Sequence, residues 1–361
     1  MHQATSRIPS RHRLMHKRLR TDSKLAFVSG WETNNPFSQE YFSVEDVARQ
    51  CHYDGQQYFC LSEDSELSNS IQLFHQRNDN LCYQLDNIFT ASGSSSLIAA
   101  FLLMAKSEGV RTMVYFPPLY YTVYYLASML GITLVPLQTS PLIADTSLPL
   151  PNGRAWLIIS DPIWMMGISL AMTHIEQIGE WQERTKSNVL VDGTFQYLKW
   201  NDVVRENSSL LNKEYTFRIV CPTKSLVIHG VRFSYMLLPA GKREDIDYSC
   251  ENISGSDGIF NLAGARQIMR RLNMEESNKK LRRYIAGRRG DLQGWVFGQT
   301  LGEPSCSYYV FAKPLINKES CITMGQDFFD LAGFDEYVRF NLLTPPDVLE
   351  EIATGSPIKP G

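Results

Sequence analysis

The chain has 361 residues, 43% of them hydrophobic and 20% charged, with a formal net charge of -3. That is enough apolar material for a sizeable core, in one large domain plus a smaller one. The charge balance leaves no nucleic-acid footprint, and no apolar run approaches the ~20 residues of a membrane span.

Met1 to Arg20 carries Arg7, Arg11, Arg13, Lys17, Arg18 and Arg20, and no acid. It lacks the apolar core of a secretory signal. Residues 1–30 read as a solvated or partner-embracing arm, with an organelle transit peptide as the alternative. Asn34-Asn35-Pro36 marks a loop. Val44 to Gln50 begins a helical pattern. Ser65 to Gln76 reads as an amphipathic helix, with Leu67, Ile71, Leu73 and Phe74 on or near one face. Asn87 to Thr90 is a short strand. It enters Ala91-Ser92-Gly93-Ser94-Ser95-Ser96, and an apolar helix follows over Leu97 to Ala105.

Strands and helices then alternate. Strands are predicted at Thr112 to Phe116, Thr133 to Pro136, Ala155 to Ser160, Asn188 to Val191, Phe217 to Val220 and Ser234 to Leu238. Helices fall at Tyr121 to Leu130 and Thr173 to Arg184. Short apolar strands between helices argue for a mostly parallel sheet covered on both faces, the doubly wound α/β class. Residues 31–241 form this large domain, although its first part can pack with the smaller one. A polar linker is expected over Lys242 to Asp257, then a long charged helix over Asn261 to Ile285. Strands follow at Trp295 to Phe297, Tyr308 to Phe311 and Tyr337 to Asn341, and a last helix starts near Pro346. Residues 242–361 read as a smaller α/β domain.

The seven cysteines form no CxxC pair and the seven histidines no metal-ligand spacing, so neither a metal site nor a disulfide framework follows. Reduced thiols favour a cytoplasmic setting. The basic run Lys279 to Arg288 reads as a solvated face.

Five segments carry candidate chemistry. The strand, Gly-Ser turn and helix start at Gly93, Ser94 and Ser95 suit a phosphate, through free backbone N–H groups and the helix dipole; a plain serine N-cap is the alternative. Pro117-Pro118-Leu119-Tyr120 puts an aromatic ring at a strand end. Asp192 closes a parallel strand, where a carboxylate faces the ligand crevice, and Asp192-Gly193 is also a common turn dipeptide. Cys221-Pro222-Thr223-Lys224 follows a strand, with Gly230 six and Arg232 eight residues after the lysine. A lysine amine condenses with carbonyls and serves as a general base, and an arginine grips phosphate with several donors. Arg339 sits in Tyr337-Val338-Arg339-Phe340-Asn341, and its guanidinium fork matches a carboxylate.

In this order and spacing, from about Gly30 to Arg339, the chain resembles fold-type I pyridoxal-phosphate enzymes of the aminotransferase class I/II family. The resemblance implies an aspartate-aminotransferase-like fold, with a seven-stranded sheet in the large domain, and pyridoxal 5'-phosphate as cofactor. It implies that Lys224 bonds the cofactor aldehyde and moves the substrate's α-proton. Asp192 would pair with the ring nitrogen, Tyr120 would stack on the ring, Gly93, Ser94, Ser95 and Arg232 would hold the phosphate, and Thr223 would also contact the cofactor. Phe195 would flank the cofactor, while Arg339, Gly30 and Trp164 would meet an amino-acid or keto-acid substrate. Tyr58, with Glu66-Leu67 beyond it, would reach the phosphate of a partner subunit, which implies a homodimer with shared sites.

The chain departs from the family at two places. Asp161-Pro162-Ile163-Trp164-Met165-Met166-Gly167 has Trp164 where the family carries an asparagine, and Phe195 stands where it carries a tyrosine. Both are the family's donors to the cofactor's phenolic oxygen. Tyr197 or the Trp164 indole N–H would have to compensate. Asp192-Gly193-Thr194-Phe195 also resembles the Asp-Gly-x-Phe of capreomycidine-synthase-like enzymes, which implies elimination or cyclisation on a hydroxyarginine-like substrate in place of transamination. A non-catalytic binding protein on the same fold is the reading from another class.

Overall fold

Short apolar runs rich in Val, Ile and Leu pair into one seven-stranded sheet, and a second, smaller sheet is built from the C-terminal third. The computed structural model describes residues 4–21, 26–31, 33–51, 60–137, 147–203, 205–255, 257–316 and 321–354. The first elements are α1 (Ala4–Thr21), β1 (Ala26–Phe27), α2 (Ser38–Tyr41), α3 (Val44–Gln50) and α4 (Ser65–Asp79). The large sheet and its helices follow: β2 (Ile88–Ala91), α5 (Ser94–Ser107), β3 (Thr112–Tyr115), α6 (Tyr121–Met129), β4 (Thr133–Pro136), β5 (Trp156–Ser160), α7 (Met172–Thr185), β6 (Asn188–Gly193), β7 (Thr216–Val220), α8 (Pro222–Ser225) and β8 (Ser234–Leu237). Last come α9 (Arg243–Ser254), α10 (Ile259–Leu272), α11 (Lys279–Leu292), β9 (Phe297–Thr300), β10 (Tyr309–Pro314), β11 (Cys321–Ile322), β12 (Met324–Gly325), β13 (Val338–Asn341) and α12 (Pro346–Thr354).

The large sheet has the order β2-β8-β7-β6-β5-β3-β4. Strand β8 runs antiparallel to both neighbours, and the other pairs are parallel. β5, β6 and β7 are buried along their whole length, as expected for strands with helices on both faces. The C-terminal ends of β2, β3, β5, β6 and β7 therefore share one edge, the edge where α/β sheets bind ligands. Helix α5 buries Leu97, Ile98, Phe101, Leu102 and Met104, worth about 1.5–3 kcal/mol for each large side chain. That packing anchors the turn at its N-terminus.

The smaller sheet, β12-β13-β10-β9, is antiparallel throughout. The chain before residue 35 packs beside it from the other end of the sequence: β1 forms a separate two-stranded parallel sheet with β11, and the Asn34 N–H donates to the Leu343 carbonyl at 2.8 Å.

Four local expectations change. The basic N-terminus is a helix, α1, which packs on α6. Ile8 and Met15 are buried in it while the arginines stay outward. Leu73 is 48% exposed, one 100° step off the face that buries Leu67, Ile71 and Phe74. The expected linker over Lys242 to Asp257 holds helix α9. Its Ile246, Ser249 and Cys250, at helical spacing, are buried, and the helix packs on α5; the surrounding acids masked that face. The single long helix is two, α10 and α11, separated where Glu276 takes φ 55°.

Candidate active site

Gly93 closes the turn after β2 with φ +103°, a conformation that side-chain-bearing residues rarely adopt. A Cβ there would stand 2.6 Å from Arg232 Nη2. The guanidinium thus lies directly against the turn that opens α5. Ser94 and Ser95 form the first residues of that helix, and Gly93, Ser94, Ser95 and Arg232 line one cavity.

Lys224 reaches the same cavity from another segment. Pro222 starts the short helix α8 at a position that needs no N–H, and Thr223 and Lys224 both line the cavity. Burial holds the Lys224 amine below its ordinary value; Arg232 and Arg339 add to the effect and Cys221 opposes it. Its Nζ lies 5.7 Å from the centre of the Phe195 ring.

Asp192 ends β6 and is 4% exposed. Its Oδ1 accepts from the Thr194 hydroxyl at 2.5 Å and the Thr194 N–H at 3.2 Å. Burial pushes the carboxyl up, and Thr194 works against it. Tyr120, after β3, faces the same space.

Trp164 and Phe195 also line the cavity, with rings stacked at 5.9 Å and 16°. Trp164 Nε1 is sealed from water and has no hydrogen-bond partner among the described residues. Tyr197 does not face the site. Its hydroxyl donates to Asp79 Oδ2 at 2.7 Å and accepts from Arg218. The expectation that Tyr197 donates into the site is therefore corrected: the buried Asp79–Arg218 pair, at 2.8 Å, claims its hydroxyl.

Arg339 lies behind the wall. It is fully buried, and the rings of Tyr309, Trp164, Phe329 and Trp31 surround its guanidinium at 4.4, 4.9, 5.6 and 5.8 Å. Nη2 donates to the Ser29 carbonyl. Nε and Nη1 have no partner among the described residues. Gly30 is not part of the wall either; its carbonyl accepts from the Tyr309 hydroxyl at 3.0 Å, and the next residue, Trp31, lines the cavity in its place. Tyr58 lies outside the described residues.

Two histidines approach the same region. His12 of α1 is 4% exposed and stacks on Tyr121 at 4.1 Å. Burial, Arg339 and His16 lower its pKa to about 3. His229 Nε2 is 3.4 Å from the Tyr308 hydroxyl, and burial, Lys224 and Arg232 lower its pKa to about 3.

A buried network ties the Asp192 and Lys224 segments together. The Ser225 hydroxyl donates to the Gln196 carbonyl at 3.0 Å. Gln196 Oε1 accepts from Arg218 Nε at 2.8 Å. Asn278, at the start of α11, donates from Nδ2 to the carbonyls of Tyr197 and Ser225, both at 2.9 Å. Sequence reasoning missed this network, and also Trp31, Thr194, Phe233 and Tyr309 in the cavity wall. Thr194 had a readable signal, a hydroxyl two residues after the strand-end aspartate. The others had none, because nothing local distinguishes a wall aromatic from a core one.

This arrangement is found on a known fold. The N-succinyldiaminopimelate aminotransferase from Mycobacterium tuberculosis superposes with a TM-score of 0.74, at 18% identity, over 94% of each chain. The aspartate aminotransferase from Rhizobium meliloti gives 0.75 at 16% identity, over 97% of this chain and 96% of that one. A structure from Escherichia coli described as having a methionine aminotransferase function gives 0.74 at 13% identity, over 94% of each chain. The chain has the fold of these enzymes. No known family profile matches it, and no curated protein matches it by sequence.

Proposed function

We propose that this chain is a pyridoxal-phosphate-dependent enzyme acting at the α-carbon and α-amino group of an amino acid, most simply an aminotransferase. The observation that carries the reading is the convergence of Gly93, Asp192, Lys224 and Arg232 on one cavity. The aminotransferase functions of the proteins that share its fold support it.

The residues fit the cofactor. The cradle at Gly93, which a Cβ would fill, has Arg232 as its wall and a helix N-terminus as its floor, a setting for phosphate. Asp192, with one oxygen fixed by Thr194, suits a protonated ring nitrogen. When bound, pyridoxal phosphate supplies a sink for the electrons left on the α-carbon.

The chain's own residues do the rest. Lys224, its amine pushed toward the neutral form, takes and returns the α-proton. Arg339 offers Nε and Nη1 to the substrate carboxylate. Trp31 is half-buried, the least buried of the four rings around Arg339. The aromatic walls exclude water from the proton transfer.

The same reading divides the chain into residues 31–241 and 242–361 and makes it a cytoplasmic homodimer in which Tyr58 serves the partner subunit's phosphate. Elimination or cyclisation is the second reading. It is favoured by the Trp164–Phe195 stack, which lies at the two departures from the family.

The test is the visible spectrum of the purified protein beside Lys224→Ala. A yellow band that borohydride abolishes, and that the variant lacks, is expected. A colourless protein that gains no band with added pyridoxal phosphate would overturn the reading. Product analysis then separates released keto acid from a retained amino group in a new ring.

A further inference from the structure

We infer that Asn261 is a positioning residue for the phosphate cradle, joining the Gly93 turn to Arg232 from helix α10; the inference rests on the proposed function and adds a residue to its site. The two halves of the cradle come from distant parts of the chain, the turn after β2 and the segment before β8. The side chain of Asn261 bonds to both. Its Oδ1 accepts from the backbone N–H of Arg232 at 3.2 Å, and its Nδ2 donates to the Ser92 hydroxyl at 3.2 Å. Only one orientation of the amide satisfies both partners. The Arg232 N–H needs an acceptor. Ser92 donates its own proton to Asp257 Oδ1, so its oxygen is left to accept. Asp257 is tied in turn, since its Oδ2 accepts from the Leu61 N–H at 3.0 Å.

A second contact, one helical turn on, fixes the same segment. The buried Val231 side chain seats against Gly264, where a Cβ would stand 3.1 Å from Val231 Cγ1. Residues 261 and 264 are neighbours on one face of α10. The helix is itself anchored, with Ala265, Ile268 and Met269 fully buried in the main core. α10 therefore holds Arg232 by its backbone and by the residue before it, while the guanidinium lies against the Gly93 turn. A guanidinium fork meets a phosphate well only when the groups that carry it are held in place. Asn261 supplies that support without lining the cavity itself.

The experiment titrates the cofactor-free full chain with pyridoxal phosphate and with pyridoxal, which lacks the phosphate, and reads the visible band. Asn261→Ala is expected to weaken pyridoxal phosphate on the order of tenfold, the scale of two lost hydrogen bonds, and to leave pyridoxal unchanged. The phosphorus resonance of the bound cofactor should shift in the variant. Asn261→Asp keeps an acceptor for the Arg232 N–H, loses the donor to Ser92 and adds a negative charge beside the cradle. It should weaken pyridoxal phosphate at least as much, again with pyridoxal unchanged. Equal losses for the two ligands, with a lowered unfolding temperature of the cofactor-free variants, mark a merely structural role and overturn the inference. Unchanged affinity for pyridoxal phosphate in both variants overturns it too and leaves the cofactor reading standing. A wild-type chain that binds pyridoxal as tightly as pyridoxal phosphate overturns the phosphate assignment, and this inference with it. A chain that takes up neither overturns the proposed function as a whole.

Discussion

Arg232 and Gly93 are matched by the absence of a single atom: a Cβ on residue 93 would stand 2.6 Å from the Arg232 guanidinium. Gly93→Ala must either push the arginine off the turn or distort a backbone held at φ +103°. Strain of this kind costs about 1–3 kcal/mol. The expected result is at least a tenfold loss of affinity for pyridoxal phosphate, read by absorbance titration, with a modest drop in unfolding temperature. Unchanged affinity would remove the phosphate assignment from this turn.

Asp192 gives a prediction with opposite signs for stability and function. Its folded pKa is raised by burial, so the ionised form disfavours the cofactor-free fold at neutral pH. That cost fades as pH falls into the ordinary carboxylate range, where the group is protonated in both states. Asp192→Asn keeps an acceptor for Thr194 and loses the charge. The cofactor-free variant should melt higher than wild type at pH 7, with the gain shrinking toward acid pH, while cofactor retention falls. Calorimetry of the two cofactor-free proteins across pH, beside a binding titration, checks both halves.

Glu206 sets a pH dependence away from the cavity. Burial raises its pKa from the ordinary 4.5 to about 7, although Lys199 at 3.6 Å opposes the shift. A raised acid contributes stability that is present below the unfolded pKa and lost as pH rises through the folded one. Stability should therefore decline between about pH 5 and pH 8, by on the order of 3 kcal/mol from this group. Denaturant melts of Glu206→Gln should show a flatter profile over that window.

Tyr197→Phe separates the buried network from the cavity. Burial pushes the Asp79 carboxyl up, yet Arg218, His75 and Tyr197 together hold it below the usual range. Removing the hydroxyl takes a donor from a buried carboxylate, at a cost of about 1–3 kcal/mol. The cofactor spectrum and its pH titration should not move, because the hydroxyl faces Asp79. A shifted titration would restore Tyr197 as a donor to the cofactor.

The strands of the large sheet were legible because each is a short apolar run closed by a turn, and the candidate residues Asp192 and Lys224 sit just where those runs stop. Gly93 could be read for the same reason. Arg339 could be read as a candidate but not its cage. Its four rings come from Trp31, Trp164, Tyr309 and Phe329, on segments that only the folded chain brings together. Helix α9 was hidden because Glu244, Asp245, Asp247 and Glu251 outnumber its buried Ile246 and Cys250. α1 was hidden by Pro9 and by its arginines. The Asp79–Arg218 network links residues 139 positions apart, a distance at which no spacing rule operates.

The contact between Ser29 and Arg339 spans 310 positions. During synthesis the sheet from Ile88 to Leu237, with its glycine turn, aspartate and lysine, is complete while more than a hundred residues have yet to leave the ribosome. Chains fold from the N-terminal side as they emerge, so the Gly93 turn and the Arg232 beside it are made well before Arg339. β1 and Trp31, made among the first residues, wait for strands made among the last. Under the proposed function, cofactor capture and substrate competence would arrive at different moments in the life of each molecule, and a truncated chain ending before β10 is expected to keep only the first.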